Sequence, residues 1–254
     1  FSKAFMKRHN IPTGLSKTFT KNDLEEGINF LMTMSPPYVL KADGLAAGKG
    51  VIICNNLEDA KNTFKTMLIN EQFGKASEKV LIEEFLSGIE VSSFAITDGE
   101  NYIMLPEAKD YKRIGENDTG LNTGGMGAIS PVFFFDKEFQ KKVEKKIIKR
   151  TIEGLKKDKI EFKGFLFVGL MNINGEPYVI EYNVRMGDPE TQVVIPRINN
   201  DLVDILISSI DMNLKNINIK IRKNTASTVI LSAEGYPEKY KKGLPISGFE
   251  KIEN

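Results

Sequence analysis

Residues 41–51 read Lys-Ala-Asp-Gly-Leu-Ala-Ala-Gly-Lys-Gly-Val, a glycine-rich run between two apolar stretches. The run is similar to a phosphate-binding P-loop, but too few residues separate Gly44 from Gly48, and Gly50 stands where a P-loop has Ser or Thr. The flanking stretches, 38–41 and 50–54, have the composition of strands. We therefore predict a hairpin whose tip lets the backbone approach a phosphate. The alternative is an ordinary glycine-rich hairpin.

Periodicity on both sides of this run predicts an α/β protein. We expect strands at 17–20, 79–83, 90–96, 102–105, 164–171 and 178–182, and helices at 2–10, 22–35, 56–68, 137–155 and 201–213. The pairs Asp98-Gly99 and Asn174-Gly175 predict tight turns between neighbouring strands. The stretch 109–131 has little apolar periodicity and is longer than an ordinary connection, which is typical of functional or disordered segments. Our predicted domains are a lead-in helix from a preceding domain (1–12), a first lobe (13–82), a second lobe (83–218) and the start of a C-terminal domain (219–254).

Composition excludes several classes of function. The 254 residues contain one Cys and one His, so an internal disulfide, a thiolate metal cluster and a multi-histidine metal site are impossible, and a hydrolase triad would depend on His9 alone. The 35 basic and 34 acidic residues give no field that favours nucleic acid or a membrane surface. No apolar run approaches the roughly 18 residues of a membrane helix. We expect a soluble, cytoplasmic protein.

Two further segments carry polar groups in patterns that predict binding. In residues 179–185, the two-residue alternation of a β-strand places Glu181, Asn183 and Arg185 on one face. The carboxylate and amide oxygens suit Mg²⁺, and the guanidinium suits a phosphate or a carboxylate. In 82–90, backbone groups at a junction between lobes could hold adenine, and Glu90 could accept ribose hydroxyls. The alternatives are a strand with one solvated face and exposed charges at a strand end.

Four motifs together resemble a known family. Residues 41–51, 83–86 (Glu-Glu-Phe-Leu), 122–127 (Asn-Thr-Gly-Gly-Met-Gly) and 181–190 (Glu-Tyr-Asn-Val-Arg-Met-Gly-Asp-Pro-Glu) look like those of the glycinamide ribonucleotide synthetases, or phosphoribosylamine–glycine ligases, which are ATP-grasp enzymes of purine synthesis. The hairpin and the Glu-x-Asn pair would fit any ATP-grasp protein, whereas residues 122–127 and 187–190 are more specific to this one family. The resemblance implies an α+β, ATP-grasp fold of two α/β lobes with the nucleotide between them.

The resemblance also implies roles for individual residues. It implies that Arg185 and Lys41 supply the catalytic charges. It also implies that Glu181 and Asn183 bind the metal ion, which is Mg²⁺ or, as an alternative, Mn²⁺. The implied substrate contacts are Gly124, Gly125, Arg185 and Asp188. The implied ATP contacts are Lys3, Lys41, Gly48, Lys49 and Gly50 at the phosphates, Glu83, Glu84, Phe85 and Leu86 at adenine, Glu90 at the ribose, and Arg113 and Asn122.

The implied reaction joins glycine to phosphoribosylamine through glycyl phosphate, and it converts ATP to ADP and phosphate. The resemblance implies neither nucleic acid nor a membrane as a partner. Because the family has a further N-terminal domain and a longer C-terminal domain, we expect these 254 residues to bind Mg-ATP but to ligate poorly. Two alternatives stay open at this point: an ATP-grasp ligase for another carboxylate and amine, and a non-catalytic nucleotide-binding module of a larger polypeptide. A Rossmann dehydrogenase is disfavoured, because no G-x-G-x-x-G run opens a helix after a strand.

Overall fold

The computed structural model describes residues 1–44, 46 and 50–251. Within them the helices, in chain order, are α1 (Ser2–Arg8), α2 (Leu24–Met32), α3 (Leu57–Ile69), α4 (Lys137–Val143), α5 (Lys149–Lys157), α6 (Thr191–Val194) and α7 (Leu202–Ile210). The strands are β1 (Ser16–Phe19), β2 (Tyr38–Ala42), β3 (Val51–Cys54), β4 (Val80–Glu84), β5 (Ile89–Thr97), β6 (Tyr102–Met104), β7 (Lys109–Asp110), β8 (Arg113–Gly115), β9 (Thr119–Asn122), β10 (Gly127–Ser130), β11 (Gly164–Ile173), β12 (Glu176–Asn183) and β13 (Ala226–Val229).

The chain forms two compact units, each built from three separate stretches. The first unit contains Phe1–Glu90, Lys141–Gly154 and Leu170–Tyr182. The second contains Val91–Gln140, Leu155–Gly169 and Asn183–Asn254. The domain boundaries inferred from the sequence stay predictions.

A four-stranded sheet in the order β1-β4-β2-β3 forms the main part of the first unit. All its neighbouring strands are antiparallel, and Tyr38 lies opposite Cys54 and Lys41 opposite Val51. The hairpin predicted around the glycine-rich run is therefore confirmed. β2 is flanked on both sides, so Lys41 sits near the middle of the sheet rather than at its edge.

Helices α2 and α3 cover this sheet. α3 begins after Asn56, whose side chain accepts a hydrogen bond from the Asp59 N–H, and this cap explains why the helix starts there. The core between helices and sheet is apolar: Phe19, Leu31, Leu40, Phe64, Met67, Leu68 and Ile82 are among its buried members. Burial of these large side chains supplies the main stabilisation of the unit.

The helix predicted at 137–155 is confirmed and contains an irregularity that the sequence did not predict. A π-helical turn, Glu144–Ile148, joins α4 to α5. In the first unit, the Lys142 ammonium donates to the Gly175 carbonyl at 2.9 Å. Gly175, with φ +81°, forms the predicted turn between β11 and β12 with Asn174.

The second unit contains the β5–β6 hairpin, and β5 also pairs with β11. The predicted turn at Asp98-Gly99 is confirmed: Asp98 N–H bonds the Asn101 carbonyl, and Gly99 has φ +93°. A core that includes Phe94, Phe167, Val193 and Ile205 packs α6 and α7 against these strands. The centroids of the Phe94 and Phe167 rings lie 4.8 Å apart.

The long stretch at 109–131 contains four short strands that the sequence did not predict. β7 and β10 pair within a three-stranded sheet of order β13-β10-β7, and β8 pairs with β9. Each of these strands has two to four residues, too few for an apolar alternation to show in the sequence.

No described helix is both long and apolar enough to cross a membrane.

Asp98 provides a test of the second unit. Its buried carboxylate accepts hydrogen bonds from the N–H groups of Glu100, Asn101 and Leu214. Burial raises the pKa of Asp98, but these hydrogen bonds outweigh it and hold the pKa below the ordinary value of 3.8. The stabilisation is therefore complete above the unfolded-state pKa and is lost as pH falls through the folded-state pKa.

We expect Asp98→Asn to lower the free energy of unfolding at pH 7 by about 1–3 kcal/mol, measured by urea denaturation. The difference from wild type should stay constant from pH 7 down to about pH 5 and shrink as pH falls below about 4. Asp118→Asn, at an exposed position, is the control. A difference that stays constant with pH would contradict this role of the Asp98 charge.

Candidate functional site

A buried carboxylate bound by two ammonium groups lies in the first unit. Glu83 is 3% exposed; one of its oxygens bonds the Lys3 ammonium, and the other lies 2.7 Å from Lys41 Nζ. Strand pairing explains the second contact, because Glu83 lies opposite Val39, and Lys41 is two residues further along the same face of β2. We call Lys3, Glu83 and Lys41 the lysine–glutamate cluster. Two positive charges against one negative charge give it a surplus of +1.

Thr13 fixes the position of Lys3. The Lys3 ammonium donates to Thr13 Oγ1 at 2.5 Å, and that hydroxyl donates to the Val179 carbonyl at 2.7 Å. The Val179 N–H in turn bonds the Pro12 carbonyl. Burial lowers the pKa of Lys3, and the Glu83 carboxylate opposes that shift. Thr13 was not predicted, since a lone Thr has no pattern in the sequence.

The segment predicted to hold adenine follows Glu83. Glu84 is fixed by Leu15, whose carbonyl accepts from the Glu84 N–H and whose N–H donates to the Glu84 carboxylate at 3.0 Å. At Gly88 a Cβ atom would lie 2.2 Å from the Asn172 carbonyl oxygen, so only glycine allows this close approach to β11. Phe85 is partly exposed, Leu86 is half-buried and lies against Gly14, and Glu90 is half-buried.

The predicted metal pair lies at the end of β12. Glu181 is exposed and Asn183 half-buried. Tyr182 between them lies with its hydroxyl 2.8 Å from Thr151 Oγ1, and Thr151 Oγ1 donates to the Ile147 carbonyl. Burial raises the pKa of Tyr182 far above its ordinary value. The strand ends at Asn183, so Arg185 lies beyond the face predicted for it, with its guanidinium donating to the Met186 carbonyl at 2.9 Å.

These residues fit a metal that takes few protein ligands. Among the described residues, no group of three or more His, Cys, Asp or Glu side chains could hold a metal ion. Glu181 and Asn183 offer two hard oxygen donors on one strand. Mg²⁺ usually keeps several waters and binds substrate phosphates, so two protein oxygens are compatible with it.

In the second unit, the fold brings Arg113 and Asn122 together. They lie directly opposite each other in the β8–β9 hairpin, and both are exposed. The Arg113 guanidinium is 3.4 Å from the Gly120 carbonyl oxygen. The two residues that the resemblance implies as further ATP contacts are thus neighbours on one surface.

The two motifs that are most specific to the family also meet in this unit. At Gly125, φ is +118°, and a Cβ atom would lie 2.3 Å from Pro189 Cδ. Only glycine can therefore bring the run 122–127 onto Asp188 and Pro189. The Gly125 N–H bonds Thr123 Oγ1 at 3.0 Å, and the Gly124 N–H bonds the Tyr236 hydroxyl at 2.9 Å. Tyr236 was not predicted as a site residue.

Asp188 and Glu190 differ in their surroundings. Asp188 is exposed and accepts a hydrogen bond from Gln192 at 2.8 Å. Glu190 is buried and accepts from the Ser92 hydroxyl at 3.2 Å. Burial raises the pKa of Glu190, and the nearby negative charge of Asp110 raises it further. Ser92 and Asp110 were not predicted, because each comes from a strand distant in sequence.

The tip of the glycine-rich hairpin is only partly described. Gly48 and Lys49, both predicted phosphate contacts, lie outside the described residues. Gly50 is buried, and its carbonyl accepts from the Ala42 N–H at 2.8 Å.

Comparisons with known proteins agree on one family. Residues 1–191 match the family model described as phosphoribosylglycinamide synthetase, ATP-grasp (A) domain. The chain is 45% identical to the phosphoribosylamine–glycine ligase of Fusobacterium nucleatum over 254 residues, which are 100% of this chain and 59% of that protein. It is 44% identical to the ligase of Chlorobaculum tepidum over 248 residues, covering 97% of this chain and 58% of that protein.

A solved structure gives the same result. The crystal structure of phosphoribosylamine–glycine ligase from Thermotoga maritima superposes with a TM-score of 0.86 at 38% sequence identity. The match covers 97% of this chain and 63% of that one. The resemblance inferred from the four motifs and the predicted ATP-grasp fold are therefore confirmed. The chain spans less than two thirds of the length of these relatives.

The lysine–glutamate cluster gives a stability prediction. Glu83→Gln would leave two largely buried ammonium groups without their carboxylate, and breaking a buried ion pair in this way is strongly destabilising. We expect the free energy of unfolding to fall by about 3 kcal/mol or more in urea denaturation.

The matched control is Glu71→Gln, which breaks an ion pair with Lys21 in which both side chains are about half exposed. That change should leave the free energy of unfolding close to the wild-type value, because solvent screens an exposed ion pair. Equal losses in the two variants would contradict the importance of the buried carboxylate.

Proposed function

Because the chain belongs to the phosphoribosylglycinamide synthetase ATP-grasp (A) domain family, we propose that it carries the nucleotide-binding part of a phosphoribosylamine–glycine ligase. In this reaction the glycine carboxylate attacks the γ-phosphorus of ATP, giving glycyl phosphate and ADP. The amine of phosphoribosylamine then attacks the acyl carbon, and phosphate leaves. The product, glycinamide ribonucleotide, belongs to purine synthesis. The cytoplasmic location stays a prediction.

The observation that carries this proposal is the surplus charge of the lysine–glutamate cluster. Burying charged groups is costly, so two ammonium groups beside one carboxylate call for a further anion. A nucleotide phosphate supplies that anion. We propose that Lys41 and Lys3 contact the ATP phosphates while Glu83 and Thr13 hold both lysines in place. Gly48, Lys49 and Gly50 stay predicted phosphate contacts.

We propose that the adenine lies against the segment from Glu83 to Leu86. Exposed apolar surface at Phe85 supports this, since a base needs an apolar wall as well as backbone hydrogen bonds. Glu84 is held by Leu15, which keeps the segment in one conformation. Glu90 stays the predicted ribose contact, and Arg113 and Asn122 the further ATP contacts.

Glu181 and Asn183 are the proposed ligands of Mg²⁺, or of Mn²⁺ in its place. A divalent ion bound there would offset the negative charge that builds up on the phosphates during transfer. Their strand is anchored by the hydrogen bond between Tyr182 and Thr151, and this anchor supports the assignment. Positioning of the reactants and neutralisation of their charge supply most of the rate enhancement in enzymatic phosphoryl transfer.

The proposed substrate contacts are Gly124, Gly125, Arg185 and Asp188. Their support is the packing of Gly125 on Pro189, which joins the two family-specific motifs into one surface. Arg185 has the charge and planar geometry to bind a carboxylate or an acyl phosphate. The partners proposed for this surface are therefore small molecules, glycine and phosphoribosylamine.

Binding of ATP tests the phosphate assignment. Lys41→Met removes the surplus charge and leaves one Lys with one Glu, so we expect the Kd for Mg-ATP to rise at least about tenfold, or 1.4 kcal/mol. The measurement is calorimetric titration with and without Mg²⁺. Lys65→Met, at an exposed position on α3, should leave the Kd unchanged. Similar affinities in all three proteins would reject the cluster as the phosphate site.

Ligation tests the complete proposal. The complete encoded protein should release ADP only when both glycine and phosphoribosylamine are present. Glu181→Gln should lower kcat at least about a hundredfold and shift the Mg²⁺ concentration needed for half-maximal rate upward. Release of ADP with a different carboxylate and amine would favour another ATP-grasp ligase. ATP binding without any turnover would favour a non-catalytic nucleotide-binding module.

A further inference from the structure

Tyr236 places a hydroxyl group directly on the glycine run of the second unit. Its oxygen accepts the Gly124 N–H at 2.9 Å. A Cβ atom on residue 124 would lie 3.3 Å from that oxygen, a tight contact, so the hydroxyl lies close against the backbone of the run. The contact joins residues that are 112 positions apart in the chain.

The tyrosine ring is itself held in position. It packs edge-on against Tyr240, with 5.4 Å between ring centroids and an interplanar angle of 75°. The glycine run is fixed from its other side, where Gly125 packs against Pro189. Packing contacts therefore restrain both partners of the hydrogen bond.

Stability alone does not account for this arrangement. Gly124 is exposed, and an exposed N–H can bond water at little cost. A protein hydrogen bond at such a place contributes little to folding but sets the direction of the hydroxyl group. Preorganised polar groups of this kind are typical of binding sites.

The Tyr236 hydroxyl can also donate a hydrogen bond of its own. A phenol can donate one hydrogen bond while it accepts others. In the part of the chain that the structure describes, the Tyr236 hydroxyl accepts from Gly124 but has no acceptor for its own proton. The strongest acceptors for an O–H group are anionic oxygens.

We propose that Tyr236 is a substrate-binding residue whose hydroxyl, oriented by Gly124, donates a hydrogen bond to an anionic oxygen of the substrate. The inference rests on the proposed function and adds a contact to its substrate site. Both proposed substrates carry such an oxygen: glycine in its carboxylate and phosphoribosylamine in its phosphate. The shared chemistry is an oxyanion, and kinetics distinguishes the two sources.

Tyr236→Phe in the complete encoded protein is the test, because it removes the hydroxyl and keeps the ring on Tyr240. A hydrogen bond to a charged group is worth about a tenfold change in affinity. We expect the KM for one substrate to rise about tenfold while kcat and the KM for ATP stay within about twofold. A raised KM for glycine identifies the carboxylate, and a raised KM for phosphoribosylamine identifies the phosphate.

Tyr240→Phe is the matched control, since it removes a neighbouring phenol hydroxyl and keeps the same ring pair. It should leave all three KM values unchanged. Unchanged KM values for both substrates in Tyr236→Phe would overturn the proposal. So would a rise in all three KM values together with a lower Tm, which is the behaviour of a purely structural residue.

A second measurement separates this inference from the proposed function. If the wild-type protein does not ligate, the proposed function fails, and titrations with glycine and with ribose 5-phosphate then test Tyr236 directly. Binding of either compound that is about tenfold weaker in Tyr236→Phe would support the contact. Equal binding in both proteins, or no binding to wild type at millimolar concentration, would overturn it.

Discussion

The buried Glu83 carboxylate is the constraint on which the first unit depends. It comes from β4 and is bound by ammonium groups from α1 and β2, so one acid ties together a helix and two strands. Thr13 extends the same network to the backbone of β12. Removing the Glu83 charge would leave both ammonium groups uncompensated. The geometry proposed for ATP phosphates is therefore inseparable from the stability of the unit.

The second unit fixes its candidate site by close backbone approach instead of charge. Gly125 lies against Pro189 in a contact that a side chain on residue 125 would prevent, and the Tyr236 hydroxyl lies close to the Gly124 backbone. These contacts specify position without adding much burial. The two units thus use different physical means, ion pairing in one and steric fit in the other, to hold polar groups at defined places.

Local signals allowed much of the fold to be predicted. The hairpin at 38–54, the turn at Asp98-Gly99 and the helix at 56–68 depend on neighbouring residues, and all are confirmed. The strands within 109–131 were missed because each is too short to show a period. Thr13 and Tyr236 were missed because their contacts join distant parts of the chain. The resemblance identified the family, whereas the roles of its residues toward ligands stay predictions.

The composition of the first unit from three stretches has a consequence for synthesis and folding. The hydroxyl of Thr13 and the carbonyl of Val179 are 166 positions apart, so this part of the unit cannot close until most of the chain has been made. Contacts of such long range slow folding, because the entropy of closing a loop is lost before the contact is gained. A nascent chain that ends before Leu170 lacks β12, so the Lys3–Thr13 pair has no Val179 carbonyl to bind, and incompletely packed chains of this kind are prone to aggregation.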